Sequence, residues 1–257
     1  MVRTARRRGD RGTGQRGTKR RTPDESPGVV GTIRTCEQSA TVQPSSHERG
    51  ELLKMGPMKL RLGFLASHFG SNLQAIIDAC RAGRLVAELC VVICNNSRAQ
   101  ALERARGAGI ATRHLSLHTH PSEEALDAAI LETLREHEVN LIVLAGYMRK
   151  LGPRTLAHYR GRVLNIHPAL LPKFGGPGMY GTRVHEAVIA AREKESGATI
   201  HLVTEQYDQG PIVAQRRIAV LPGDTAESLA ARVLELEHAL YSETLARIAR
   251  GEIELVG

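Results

Sequence analysis

The chain has 257 residues, 42% of them hydrophobic, enough for one sizeable core. Its formal net charge of +8 is uneven: residues 1–57 carry 12 Lys and Arg against 6 Asp and Glu, so the remainder is close to neutral. That remainder shows no basic helix with interleaved aromatics, which argues against a nucleic-acid-binding core, and no run reaches the ~18 apolar residues of a membrane span.

Residues 1–57 contain no Phe, Tyr or Trp and run from Arg6-Arg7-Arg8-Gly9-Asp10-Arg11 into Gly, Thr, Ser and Pro. Such a composition buries too little apolar surface to offset its ordering entropy, so disorder is expected. Three accounts compete: a solvated tail, an electrostatic tether to RNA or anionic membrane, and an over-extended start with Met58 or Met55 as the true beginning. The third is favoured. Asp10, Asp24 and Glu25 oppose a transit peptide, and no apolar segment resembles a secretion signal. Cys36, Cys80, Cys90 and Cys94 form no C-x-x-C pair and read as reduced thiols, which fits a cytoplasmic protein better than a disulfide framework or zinc site.

From Lys59 onward, short apolar runs alternate with amphipathic stretches, the pattern of an α/β fold: a mainly parallel twisted sheet with helices on both faces. Leu60 to Ala66 reads as a strand, Asn72 to Arg81 as a helix and Leu89 to Cys94 as a strand. Ser97 to Ala108 reads as a helix stopped by Gly109. Leu126, Ile130 and Leu134 place a helix over Pro121 to Glu138, with Pro121 near its first turn, feeding a buried strand over Val139 to Ala145. A short helix over Pro153 to Tyr159 precedes a strand from Arg162 to Ile166. A helix over Arg183 to Arg192, strands over Ala198 to Thr204 and Ile212 to Val220, and one long or two broken helices over Thr225 to Arg250 complete the pattern. The folded domain is expected to span 58–257.

Four segments carry candidate chemistry. Asn165-Ile166-His167-Pro168 ends an apolar run, and Asn165 and His167 at i and i+2 project to the same side. Asp208-Gln209-Gly210-Pro211 follows roughly forty residues later. An amide donor, an imidazole and a carboxylate suit acyl or formyl transfer, in which a carbonyl oxygen becomes an oxyanion and protons move. Pairing with a buried carboxylate is expected to raise the pKa of His167. The Asn165, Asp208 and Gly175 segments all leave strands, where open α/β sheets place their sites.

Gly70-Ser71-Asn72 lies between the first strand and helix, where backbone N–H groups and the Ser71 hydroxyl suit a phosphate; Ser71 or Asn72 as a plain helix cap fits equally. Met148-Arg149-Lys150-Leu151 is either strand-exit charge or a ligand-contacting turn. His114, His118 and His120 lack a matching Cys, Asp or Glu set and read as a solvated loop, so no metal is expected.

In their order along the chain, Gly70-Ser71-Asn72, Leu144-Ala145-Gly146-Tyr147-Met148-Arg149, Asn165-Ile166-His167-Pro168-Ala169-Leu170-Leu171-Pro172, Asp208-Gln209-Gly210-Pro211 and Glu237-His238 resemble the phosphoribosylglycinamide formyltransferase family over residues 58–257. The resemblance implies formyl transfer from 10-formyltetrahydrofolate to the amine of glycinamide ribonucleotide, a step of purine synthesis. It implies Asn165, His167 and Asp208 as catalytic residues, and Gly70, Ser71, Asn72, Pro168 and Glu237 as the ribonucleotide site. Tyr147, Met148, Arg149, Leu151, Glu205 and Tyr207 would hold the folate, and His201 would support the site.

His68-Phe69 ahead of Gly70 and the Gly175 to Gly181 loop depart from the common family pattern. The implied partners are the two small-molecule substrates, with no nucleic acid or membrane for the core; a homodimer is left open. The alternatives are a formyltetrahydrofolate hydrolase, normally preceded by a regulatory domain, and a non-catalytic folate or nucleotide-binding protein with an RNA-tethering leader. A methionyl-tRNA formyltransferase is disfavoured because it carries a further C-terminal barrel, whereas this chain ends at Gly257.

Overall fold

The computed structural model describes residues 59–255; the expectations for residues 1–57, and Met58 as the first residue of the domain, lie outside the described residues. The first strand, β1 (Leu60–Ala66), leads into α1 (Ser71–Arg81) and β2 (Ala87–Cys94), then α2 (Gln100–Gly107) and β3 (Ala111–His114). Next come α3 (Glu123–Glu136), β4 (Leu141–Leu144), α4 (Pro153–His158) and β5 (Val163–His167). The chain continues through α5 (Thr182–Ala190), β6 (Glu195–Leu202), β7 (Ile212–Ala219) and α6 (Ala226–Ala249).

The seven strands form one sheet in the order β3-β2-β1-β4-β5-β6-β7. The strands β1 to β5 are parallel, while β6 and β7 run antiparallel. Alternation along each strand sorts the core onto two faces. Leu62, Phe64, Val92, Val143 and Leu164 meet α1, α2 and α6 on one face. Leu65, Val91, Ile93, Ile142, Leu144 and Val163 meet Leu126, Ile130 and Leu134 of α3, with Tyr159 after α4, on the other. Helices thus cover both faces, as expected.

The order reverses between β1 and β4, so the loops leaving these two strands diverge and open a crevice at the carboxyl edge of the sheet. These loops are tied across the crevice, because Ser67 N–H donates to the Gly146 carbonyl at 3.1 Å and Met148 N–H donates to Ser67 Oγ at 2.8 Å.

Several boundaries differ from the sequence expectation for physical reasons. The strand β3 has no counterpart in the periodicity: it is a four-residue edge strand, Ala-Thr-Arg-His, with no fully buried position. His114 is therefore a strand residue, not part of a loop. The helix α2 begins at Gln100, because Asn96 Oδ1 accepts from Arg98 N–H at 3.0 Å and holds the preceding residues in a turn. Ser122, not Pro121, starts α3: its side chain accepts from Ala125 N–H. The helix α6 is continuous and opens with a capping box between Thr225 and Ser228. The strand β6 begins at Glu195, earlier than Ala198, because pairing with β7 extends it into polar sequence.

Cys80, Cys90 and Cys94 are free, and burial pushes all three thiols up. No helix among the described residues is long and apolar enough to cross a membrane.

Candidate active site

The second sheet face runs out of helices at β5. Beyond Val163 the residues on that face are polar, and β5 pairs with β6 so that Asn165 lies opposite His201 and His167 opposite Thr199. Loops cover these side chains in place of a helix. The β6–β7 loop leaves the antiparallel β6 beside the amino end of β5, where Val203 N–H donates to the Val163 carbonyl at 2.9 Å. The Asp208 segment is a strand-exit loop as expected, but it exits at the edge opposite to β5 and must turn back across the face. Asp208 takes a left-handed φ of 54° in that turn. Gly210 completes it, since a Cβ there would lie 1.7 Å from the Leu202 carbonyl oxygen. Gly210→Ala is therefore expected to displace Asp208 and abolish most activity; circular dichroism with a kcat measurement checks this, and a normal kcat would contradict the geometry.

The result is a connected polar cluster. Asn165 Nδ2 lies 3.1 Å from His201 Nε2, and His201 Nδ1 lies 3.0 Å from the Leu202 carbonyl. A carbonyl only accepts, so Nδ1 donates there, and Nε2 accepts one of the two Asn165 N–H groups. The other N–H remains available. Asp208 stands between two imidazoles, with Oδ1 3.5 Å from His201 Nε2 and Oδ2 3.6 Å from His167 Nδ1. Gly176 N–H donates to Asp208 Oδ2 at 2.9 Å, and His167 Nε2 donates to the Phe174 carbonyl at 2.8 Å. The Gly175 to Gly181 loop therefore anchors the cluster from one side.

The charge state of His167 departs from expectation. Burial lowers its pKa, and this outweighs the upward pull of Asp208 and of the Phe174 carbonyl, so the net shift is downward. The imidazole is 4% exposed and its Nδ1 is beyond hydrogen-bond reach of the carboxylate, which is why desolvation wins. His167 is thus neutral near pH 7 with its Nδ1 lone pair unengaged. For Asp208, burial pulls upward, but His201, Gly176 N–H and His167 together hold the carboxyl below its ordinary range, so it is ionised.

A cavity opens onto Asn165, His201 and Asp208, lined also by Tyr147, Arg149, Lys150, Leu151, Glu205 and Tyr207. Five of the six predicted folate residues converge there. Met148 does not line it: its N–H is held by Ser67 and its side chain is exposed. Burial pushes the Tyr147 phenol up to about 12, so it stays a protonated donor.

The predicted ribonucleotide residues divide. Gly70 is the N-cap of α1 with φ 67° and no side-chain cap, so the cap role considered for Ser71 or Asn72 is not realised. Asn72 instead donates from Nδ2 to Glu237 Oε2 at 2.8 Å, joining α1 to α6 across 165 residues, and its Oδ1 has no partner. Pro168, half-buried, ends β5 directly after His167. The helix α6 is fixed beneath the site by Tyr241, whose hydroxyl donates to the Leu164 carbonyl at 2.9 Å.

Burial pushes the Glu237 carboxyl up to about 7, with Asn72 pulling it partly back. A carboxyl raised in the folded state binds protons more tightly there than in the unfolded chain. Its stabilising contribution is full below about pH 4.5 and is lost as pH rises through about 7, a difference of about 3 kcal/mol. Glu237→Gln is expected to raise Tm above wild type at pH 8, with the gap closing towards pH 4.5. An equal gap at both pH values would contradict the assignment.

No group of three or more metal-ligating side chains occurs among the described residues. The Phe174 carbonyl is the site member that sequence reasoning missed, while His201, implied by the resemblance as a supporting residue, does lie beside Asn165.

Comparisons with known proteins agree with this geometry. A family model for formyl transferase matches residues 60–245. The chain is 40% identical over 191 residues to phosphoribosylglycinamide formyltransferase of Escherichia coli (strain K12), covering 74% of this chain and 88% of the relative. Its fold is similar to the crystal structure of phosphoribosylglycinamide formyltransferase from Brucella melitensis, with TM-score 0.69 and 45% identity over 75% of this chain and 96% of that one. The corresponding enzyme from Coxiella burnetii in complex with CHES gives TM-score 0.70 and 42% identity, covering 76% and 89%. With the matched region spanning the whole polar cluster, the chain belongs to the formyl transferase family, among the phosphoribosylglycinamide formyltransferases.

Proposed function

We propose that this chain transfers the formyl group of 10-formyltetrahydrofolate to the amine of glycinamide ribonucleotide in purine synthesis, with residues 58–257 as the catalytic domain. The observation that carries the mechanism is the cluster in which an amide with a spare N–H and an ionised carboxylate meet at one cavity, with the buried, neutral His167 imidazole 3.6 Å from that carboxylate.

The glycyl amine has an expected pKa of about 8, so much of it arrives as ammonium. His167 Nδ1 takes that proton, and the resulting imidazolium gains the charge of Asp208 nearby. The free amine attacks the formyl carbon, forming the new C–N bond, and the carbonyl electrons move to oxygen. The spare Asn165 N–H and the His167 imidazolium stabilise this oxyanion. Collapse breaks the bond from carbon to N10 of the folate, and one amine proton passes to N10. His201 holds the Asn165 amide in the orientation that aims its N–H.

In this reading Gly70, Ser71 and Asn72 take the phosphate at the α1 N-terminus, with Glu237 and Pro168 alongside. Tyr147, Met148, Arg149, Leu151, Glu205 and Tyr207 surround the pterin, Met148 through its backbone. The chemistry calls on no metal. A cytoplasmic location and a homodimer accompany the proposal; sedimentation of the purified chain tests the second. Mass spectrometry of the ribonucleotide after reaction tests the first claim: a gain of one formyl group supports it, and free formate with unchanged ribonucleotide indicates a hydrolase.

A further inference from the structure

The loop between β1 and α1 is fastened to α2 by its carbonyl oxygens. Ala101 N–H donates to the His68 carbonyl at 3.1 Å, and Arg104 Nε donates to the Phe69 carbonyl at 2.9 Å. Gly70 packs so closely that a Cβ there would lie 2.7 Å from Ala101 Cβ. The peptide bonds from His68 to Gly70 are trans, and in a planar trans peptide the N–H points opposite to the C=O. With both carbonyls turned towards α2, the N–H groups of Phe69 and Gly70 are turned away from it, and neither has an acceptor among the described residues. The first N–H groups of α1, which a helix leaves unpaired, follow directly.

Arg104 also reaches past the loop. Its Nη1 donates to Gln74 Oε1 at 3.1 Å, and Gln74 Nε2 donates to Asp78 Oδ1 at 2.9 Å, which fixes the Gln74 amide. The half-buried guanidinium is thus gripped by two neutral oxygens. Among the described residues it has no carboxylate within 4.0 Å. Elsewhere Arg61, Arg216, Arg217 and Arg232 each meet a carboxylate. An amide at position 74 orients Arg104 without cancelling its charge, and α1 has no acidic residue in its first turn. Charge and aligned N–H groups therefore add at one end of α1, where an anion gains from both. In the same turn Asn72 is 7% exposed, and its Oδ1 is a buried acceptor that no group among the described residues satisfies.

We propose that Arg104 is a positioning residue for the ribonucleotide phosphate: it holds the Phe69–Gly70 peptide so that the Gly70 N–H faces the phosphate, and it lends that end of α1 an uncancelled positive charge. The proposal rests on the ribonucleotide site described above. The test measures kcat and the KM values for glycinamide ribonucleotide and 10-formyltetrahydrofolate in wild type, Arg104→Gln and Arg104→Lys. Arg104→Gln is expected to raise KM for the ribonucleotide about ten- to hundredfold, the range of one hydrogen bond to a charged group, and to leave kcat and the folate KM unchanged. Arg104→Lys keeps the charge and loses the fork, so its ribonucleotide KM falls between the other two, and added salt brings it nearer to that of the glutamine variant. Gln74→Ala removes one of the two grips without touching the charge and raises the same KM by a smaller factor.

Equal rises in both KM values, or a fall in kcat at unchanged KM, mark a general structural role and overturn the proposal. So does a ribonucleotide KM that stays at the wild-type value in Arg104→Gln. Should that variant fail to fold, Arg104→Lys and Gln74→Ala carry the same comparison. A wild type that forms no formylated ribonucleotide is a different failure, which removes the function reading itself.

Discussion

Replacing Asn165 with Ala is expected to lower kcat by about 100- to 1000-fold, the loss typical of a single oxyanion donor. The amide has two N–H groups, one held by His201 Nε2 and the other without a protein partner, and Asn165 lines the cavity. Alanine removes both, so the developing negative charge keeps only the His167 imidazolium. Folding is little affected, because Asn165 is partly exposed and its backbone pairing to β4 and β6 is independent of the side chain. The lost contact to His201 costs about 0.5–1.5 kcal/mol. Steady-state kinetics beside a thermal melt separate the two effects. A near-normal kcat in a folded variant contradicts the assignment, and an unfolded variant contradicts the structural argument.

Asp208→Asn has an expected effect of similar or larger size, about 100- to 10,000-fold in kcat, the range for loss of a group that supports proton transfer. The asparagine retains the shape and removes the charge between His167 and His201. Its single oxygen can still accept from Gly176 N–H, which leaves its amide N–H groups facing His201 Nε2 in competition with Asn165. The pKa of His167 provides an independent readout. Burial lowers it and Asp208 is the largest influence opposing that shift, so the variant's His167 should titrate at still lower pH than the wild type's. NMR titration of the imidazole checks the direction, and an unchanged or higher value would show that the carboxylate does not act on this ring.

The parts of this molecule that are legible in sequence are those where local pattern and structure coincide. Leu60 to Ala66 is an apolar run bounded by a turn and is the first strand in full. Asn165 and His167 stand out because two polar residues end an apolar run at strand spacing, and the shared face follows from the two-residue period. The edge strand β3 escapes because an edge position with half-buried Thr112 and exposed Arg113 has no apolar signature. The Asn72–Glu237 bond escapes because it joins residues 165 apart, and the turn-back of the Asp208 loop because strand direction is set by pairing. The protonation of His167 is the clearest case: sequence offers the nearby carboxylate but not the degree of burial that defeats it.

The central claim is that one cluster of amide, imidazole and carboxylate transfers formyl to an amine. The most direct measurement is absorbance-monitored release of tetrahydrofolate from 10-formyltetrahydrofolate, with and without glycinamide ribonucleotide, for wild type and Asp208→Asn. The account predicts turnover only when the ribonucleotide is present, and its loss in the variant. Turnover independent of the amine would identify a hydrolase, and full activity in Asp208→Asn would remove the cluster from the chemistry.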